Sequence, residues 1–185
     1  RRRNAAETRF RLYGLAAVTV ALIALAILLV SIFSNGMSAF RQTYIAIPVT
    51  RDAAKLDKSG KLDPAVMAKV TTVGYAPLLT KGLQTLMDDK GISDQGLKAK
   101  AIGALISQDA PAQLRDMVLA NPGLVGQTIT FDTLAAGRID GYFKGRVTME
   151  SATRDSNVSP EQLAIADALK DAGILHSRFN TGFIT

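Results

Sequence analysis

The sequence predicts a mainly helical α+β protein in which one N-terminal transmembrane helix precedes a single periplasmic domain with a few short strands. Three observations carry that expectation. Residues 12–33 are uncharged and almost wholly apolar, apolar residues recur at helical spacing through much of 64–172, and two shorter stretches alternate like strands. At about 1.5 Å per residue, the 22 residues of the apolar run reach roughly 33 Å, enough to cross a hydrocarbon core of about 30 Å with slight tilt. A cleaved signal peptide carries an apolar region of only about 7 to 15 residues, so the run is read as an uncleaved anchor.

Charge sets the expected direction. Arg1, Arg2, Arg3, Arg9 and Arg11 stand before the run against Glu7, a net of +4, whereas residues 41–185 hold 17 basic and 15 acidic side chains. Most of the chain's total of +6 therefore belongs to the anchor, and no nucleic-acid partner is inferred from it. Basic residues beside a span resist transfer and stay in the cytoplasm. This places 1–11 inside, 12–33 across a bacterial inner membrane in contact with lipid, and 34–185 in the periplasm. Within the span, Gly14, Ala17, Ala21 and Ala24 follow steps of three and four, a small-residue face that lets a partner helix approach closely.

Beyond the span, Ser34-Asn35-Gly36 reads as an exit turn. Residues 43–49 alternate like a strand, and Pro48 restricts that strand to an edge or a terminus. Residues 52–63 are polar around Ser59-Gly60 and read as an exposed loop. Val66, Met67 and Val70 form one helical stripe; Leu79, Leu83 and Leu86 form another after a break at Gly74 to Pro77. A third helix is expected from Ser93 as N-cap, with Leu97, Ala101, Ala104 and Leu105 on one face. A fourth starts at Asp109-Ala110-Pro111, turns Leu114, Met117 and Val118 inward, and stops at Asn121-Pro122-Gly123. Residues 127–131 alternate as a strand, with another expected over 142–149. Ser159-Pro160-Glu161-Gln162 has the spacing of a capping box and Gly173 suits a C-terminal left-handed position, so a helix is expected over about 160–172.

The chemistry on offer is sparse. The absence of cysteine removes disulfides, thiolate nucleophiles and cysteine metal sites, and His176 is the sole histidine. Asp88, Asp89, Asp109 and Asp116 lie near helix ends or on polar faces, where solvated acids are ordinary. No nucleophile, base and orienting group group together, so neither an enzyme nor a cofactor is expected. The segment Gly137-Arg138-Ile139-Asp140-Gly141-Tyr142-Phe143-Lys144-Gly145-Arg146 interleaves three glycines with three cations, which makes Arg138, Lys144 and Arg146 candidate anion-binding residues. A turn with solvated basic side chains is the competing and plainer reading, and Asp140 offsets part of any positive field.

The run Arg3-Asn4-Ala5-Ala6-Glu7-Thr8-Arg9-Phe10-Arg11-Leu12-Tyr13-Gly14, continued through Leu29-Val30-Ser31-Ile32-Phe33-Ser34-Asn35-Gly36, resembles the start of PstA. PstA is the permease subunit of the bacterial phosphate ABC importer, and a subset of its members carries an N-terminal extension of unknown function. Three later segments agree with the resemblance: Gln113 to Asp116 with Asn121 to Gly126, Gly141 to Gly145, and Gly173 to Thr185. The resemblance implies phosphate transport in company with the partner permease PstC, an ATPase pair and a periplasmic phosphate-binding protein. It implies no catalytic or phosphate-binding residue in this chain. The absence of an initiating methionine and the stop at Thr185 after an apolar patch lead us to expect an excerpt from a longer protein. Two alternatives differ in class: a self-sufficient single-pass protein that senses or binds an anion through Arg138, Lys144 and Arg146, and, ranked last, a membrane-anchored hydrolase.

Overall fold

The apolar run lies within a single long helix, α1, spanning Arg2–Ala39. Its stretch Arg9–Ser34 has a mean hydropathy of 2.9 and is long and apolar enough to cross a membrane, and every side chain in it is exposed. The expected exit turn at residues 34–36 does not form, because the helix continues to Ala39. One glycine costs a helix interior only about 1 kcal/mol, which propagation from either side offsets. Ser34 Oγ donates back to the Ser31 carbonyl at 3.4 Å, a bond that leaves the helix intact.

The structure, a computed structural model, describes residues 2–52, 56–57, 60 and 62–179. The chain divides into two compact units, one built on α1 and one over Gln42–Phe179. The second unit contains, in order, β1 (Arg41–Thr50, with Arg41 assigned to the first unit), α2 (Pro64–Met67), α3 (Thr72–Asp89), α4 (Ala99–Gly103), α5 (Ala110–Ala120), a 3-10 turn (Pro122–Leu124), β2 (Thr128–Leu134), α6 (Gly137–Phe143), α7 (Met149–Ala152), α8 (Pro160–Asp171) and β3 (Leu175–Phe179). About 57% of the structure is helical and the strands form one antiparallel sheet in the order β2-β1-β3. The expected α+β class with a helical majority is what folds.

Alternation in β1 decides which sheet face is covered. Thr43, Ile45, Ile47 and Val49 are buried, while Tyr44, Ala46 and Pro48 on the other face are half-exposed. β2 lies opposite with Ile45 facing Thr133, Ile47 facing Phe131 and Val49 facing Ile129. The buried face meets Tyr75, Leu79, Leu83 and Met87 of α3, Leu114 and Val118 of α5, and Leu163, Ile165 and Leu169 of α8 in one core.

Pro48 sits in the central strand, contrary to the expectation that it confines β1 to an edge. The register explains how. Ala46 donates its N–H to Ile174, just ahead of β3, at 3.2 Å, so the amide direction of Pro48 points past the start of β3, where no ladder bond is lost. α3 covers this place: a Cβ built on Gly82 would lie 2.3 Å from the Pro48 carbonyl oxygen.

Other expectations are corrected in the same way. No break separates Gly74 from Pro77, because Pro77 lies in the second turn of α3 and removes only the bond to Val73 near the helix start. The helix expected from Ser93 shortens to α4; Ser93 Oγ and Asp94 Oδ1 instead accept the N–H groups of Gln95 and Gly96, which holds a turn that Gly96 completes at φ +74°. Ala104 is exposed rather than inward. Residues 142–149 contain the end of α6 and a turn at Gly145, not a strand. In the expected exposed loop, Leu56 and Asp57 are buried, whereas 53–55, 58, 59 and 61 lie outside the described residues.

α8 forms as the capping spacing demands. Ser159 Oγ accepts the Gln162 N–H at 3.4 Å and Gln162 Oε1 accepts the Ser159 N–H at 2.9 Å. At the other end the N–H groups of Gly173 and Ile174 reach the carbonyls of Lys170 and Leu169, closing a Schellman motif with Gly173 at φ +73°. Ser159→Ala is expected to lower stability by about 1 kcal/mol, read as a shifted midpoint in urea unfolding.

Candidate functional site

A half-open groove of about 960 Å³ lies within the Gln42–Phe179 unit, between α3 and α4 on one side and α6 and the α7–α8 loop on the other. Its floor is apolar: Leu79, Ile106, Ile139 and Val158 are buried, and Ala76, Ala104 and Ala136 keep the walls low. Among the described residues its charged lining residues are Lys100 and Arg138, with no aspartate or glutamate.

Asp155 positions one of those cations. Its Oδ2 lies 3.3 Å from Arg138 NH1 while Oδ1 accepts the Asn157 N–H at 2.9 Å, so the carboxylate ties the first turn of α6 to the loop before α8. Gln162 is buried at the groove wall and fully engaged, since its amide nitrogen donates to the Ala101 carbonyl at 2.7 Å and its oxygen serves the Ser159 cap. The Thr80 hydroxyl donates to the Ala76 carbonyl at 3.2 Å.

The three cations nominated from the glycine-rich segment do not converge. Lys144 Nζ lies 2.6 Å from Asp140 Oδ2 and is mostly buried with it, and Asp140 Oδ1 also accepts the Thr43 N–H at 2.9 Å and the Thr43 hydroxyl at 3.0 Å. Arg138 faces the groove and Arg146 is exposed after Gly145. The segment is a short helix and a turn, and its acid closes off the end of the sheet. Sequence spacing placed Lys144 and Asp140 one helical turn apart, but only the fold brings Thr43 to them.

His176 stacks on Tyr44 with ring centroids 6.2 Å apart, and its Nε2 lies 3.6 Å from Asp132 Oδ1. Arg178 pairs with the same carboxylate and lies over the Tyr44 ring at 4.4 Å. These four side chains lie on the half-exposed face of the sheet, and among the described residues the polar partner of His176 is Asp132. Among the described residues no group of three or more metal-binding side chains comes together.

Two buried polar groups stand apart from the groove. Arg51 is fully buried at the end of β1; Nε donates to the Gln127 carbonyl at 3.4 Å, and neither terminal nitrogen has an acceptor. Burial pushes its guanidinium below the ordinary arginine range. Among the described residues Arg51 makes no ion pair, and a buried charge without one is a cost to folding, so Arg51→Met is expected to raise stability by about 1 kcal/mol or more, whereas Arg51→Ala lowers it by leaving a cavity. Urea unfolding of both variants separates these outcomes. The Tyr75 hydroxyl is also buried without a partner, and desolvation raises its pKa while nearby Arg115 opposes the shift.

On α1, Gly14, Ala17, Ala21 and Ala24 are exposed with the rest of the span. Arg9 and Arg11 are exposed at its start; Arg1 lies outside the described residues, as do the side chains of Arg2 and Arg3.

The fold and these sites define a protein with one helix able to cross a membrane and a separate α+β unit that carries a groove. Residues 1–153 match the family described as Domain of unknown function (DUF3333), and the chain belongs to that family. No curated protein and no solved structure matches it.

Proposed function

We propose that this chain is the N-terminal part of an inner-membrane permease subunit of an ABC-type phosphate importer, serving phosphate transport through anchoring and periplasmic contacts rather than catalysis. The observation that carries the reading is the exposed apolar stretch Arg9–Ser34, preceded by arginines and followed by a folded unit. The resemblance of its leading run to PstA supplies the importer. In this reading the small-residue face, Gly14, Ala17, Ala21 and Ala24, packs closely against PstC, and the Gln42–Phe179 unit makes the periplasmic contacts, the phosphate-binding protein among them. The reading through Arg138, Lys144 and Arg146 as an anion sensor has less support, because Lys144 is spent on Asp140.

The test uses the tagged native protein in its own membranes. Retention of PstC and the ATPase after mild solubilisation, and cleavage of the Gln42–Phe179 unit by protease added to intact spheroplasts, are the expected results. Recovery without either subunit, together with unchanged phosphate uptake after deletion of the gene, overturns the proposal.

A further inference from the structure

We infer that the groove of the Gln42–Phe179 unit binds a small organic anion, with the apolar body on the floor of Leu79, Ile106, Ile139 and Val158 and the acid group between Lys100 and Arg138. The volume of about 960 Å³ lies in the range of small-molecule sites, and an apolar floor with a few placed polar groups is their common construction.

The sign of the ligand follows from an account of the lining. Lys100 makes no ion pair among the described residues. Arg138 gives one edge of its fork to Asp155, which fixes the guanidinium while half of the side chain remains exposed. Gln108 and Asn157 also line the groove, and their side-chain amides make no hydrogen bond among the described residues. Positive charge thus lines a space with no aspartate or glutamate among its described lining residues, so a cation lacks a charged partner there and an anion gains charge-assisted bonds. Inorganic anions alone leave the floor of Leu79, Ile106, Ile139 and Val158 uncovered, which is why the occupant needs an apolar body.

Asp155 is a positioning residue in this arrangement. It is 13% exposed, touches Arg138 and the Asn157 N–H, and carries the charge that keeps Arg138 turned along the groove wall.

The experiment is calorimetry on the full chain in phosphatidylcholine nanodiscs, with benzoate, its neutral analogue benzamide and inorganic phosphate as probes, and with empty nanodiscs subtracted. Benzoate is expected to bind at least about ten-fold more tightly than either of the others, since loss of the charged contacts or of the apolar contacts each costs about that factor. Lys100→Gln weakens benzoate about ten-fold with the thermal midpoint unchanged, because that side chain is exposed and makes no ion pair among the described residues, and adding Arg138→Gln weakens it further. Ala104→Phe, a plug at an exposed position, abolishes binding. Equal binding of benzoate and benzamide, equal binding of phosphate, indifference to the plug, or no benzoate heat up to about 10 mM each overturns the proposal. A groove built for an acidic polypeptide instead gives that last result.

Discussion

Gly82→Ala is expected to destabilise the Gln42–Phe179 unit by about 3 kcal/mol, although alanine is the better helix former by about 1 kcal/mol. The added methyl would stand 2.3 Å from the Pro48 carbonyl oxygen and 2.9 Å from Ile47 Cγ2. The first neighbour is backbone in the central strand, so relief requires α3 to lift from the sheet along its length. Leu79 and Leu83, on either side of Gly82 and almost wholly buried, would lose contact with the core when it does. Gly123→Ala is the control, since a Cβ there meets nothing within 4 Å and its backbone is outside the left-handed region. Urea midpoints of the two variants measure the difference; similar values for both would show that α3 does not rest on Pro48.

Asp140→Ala is expected to cost about 3 kcal/mol, with Asp140→Asn intermediate. The β1–β2 ladder ends at Tyr44 opposite Leu134, and the next N–H that faces that side belongs to Thr43. Asp140 takes it through Oδ1, together with the Thr43 hydroxyl, and holds Lys144 through Oδ2. Removal of the carboxylate leaves a backbone donor on a residue only 5% exposed and a mostly buried ammonium without its partner. Asparagine restores an acceptor for Thr43 but no charge for Lys144. Hydrogen exchange at Thr43 should quicken strongly in the alanine variant and weakly in the asparagine variant, and a protected Thr43 amide in both would remove Asp140 from this role.

Where local patterns suffice, sequence and structure agree closely. The strand pattern over 43–49 appears as β1, that over 127–131 appears as β2, which starts one residue later and runs three further, and the capping box at Ser159 opens a helix that ends one residue before the expected limit. Each of these signals lies within a few residues of the group it satisfies. The misses have a common cause. Pro48 is tolerated in the middle of the sheet because β3 starts short of it, and the Ser93 region turns because Asp94 and Gly96 capture the backbone before α4 begins. Of the candidate cations, Lys144 is taken by Asp140, which Thr43, 97 residues away in sequence, helps to hold, and Arg138 is taken by Asp155.

The sequence by itself determined the apolar span, its flanking arginines, the helical majority and the caps, because hydrophobic period and backbone capping are read from neighbours along the chain. Only the tertiary structure decided which strand is central, where Gly82 must stay bare, and that Lys100 and Arg138 line one groove with an apolar floor. Those outcomes depend on contacts between residues far apart in the chain, and the free energy of such contacts is set by the space and the charge that remain once the elements have packed.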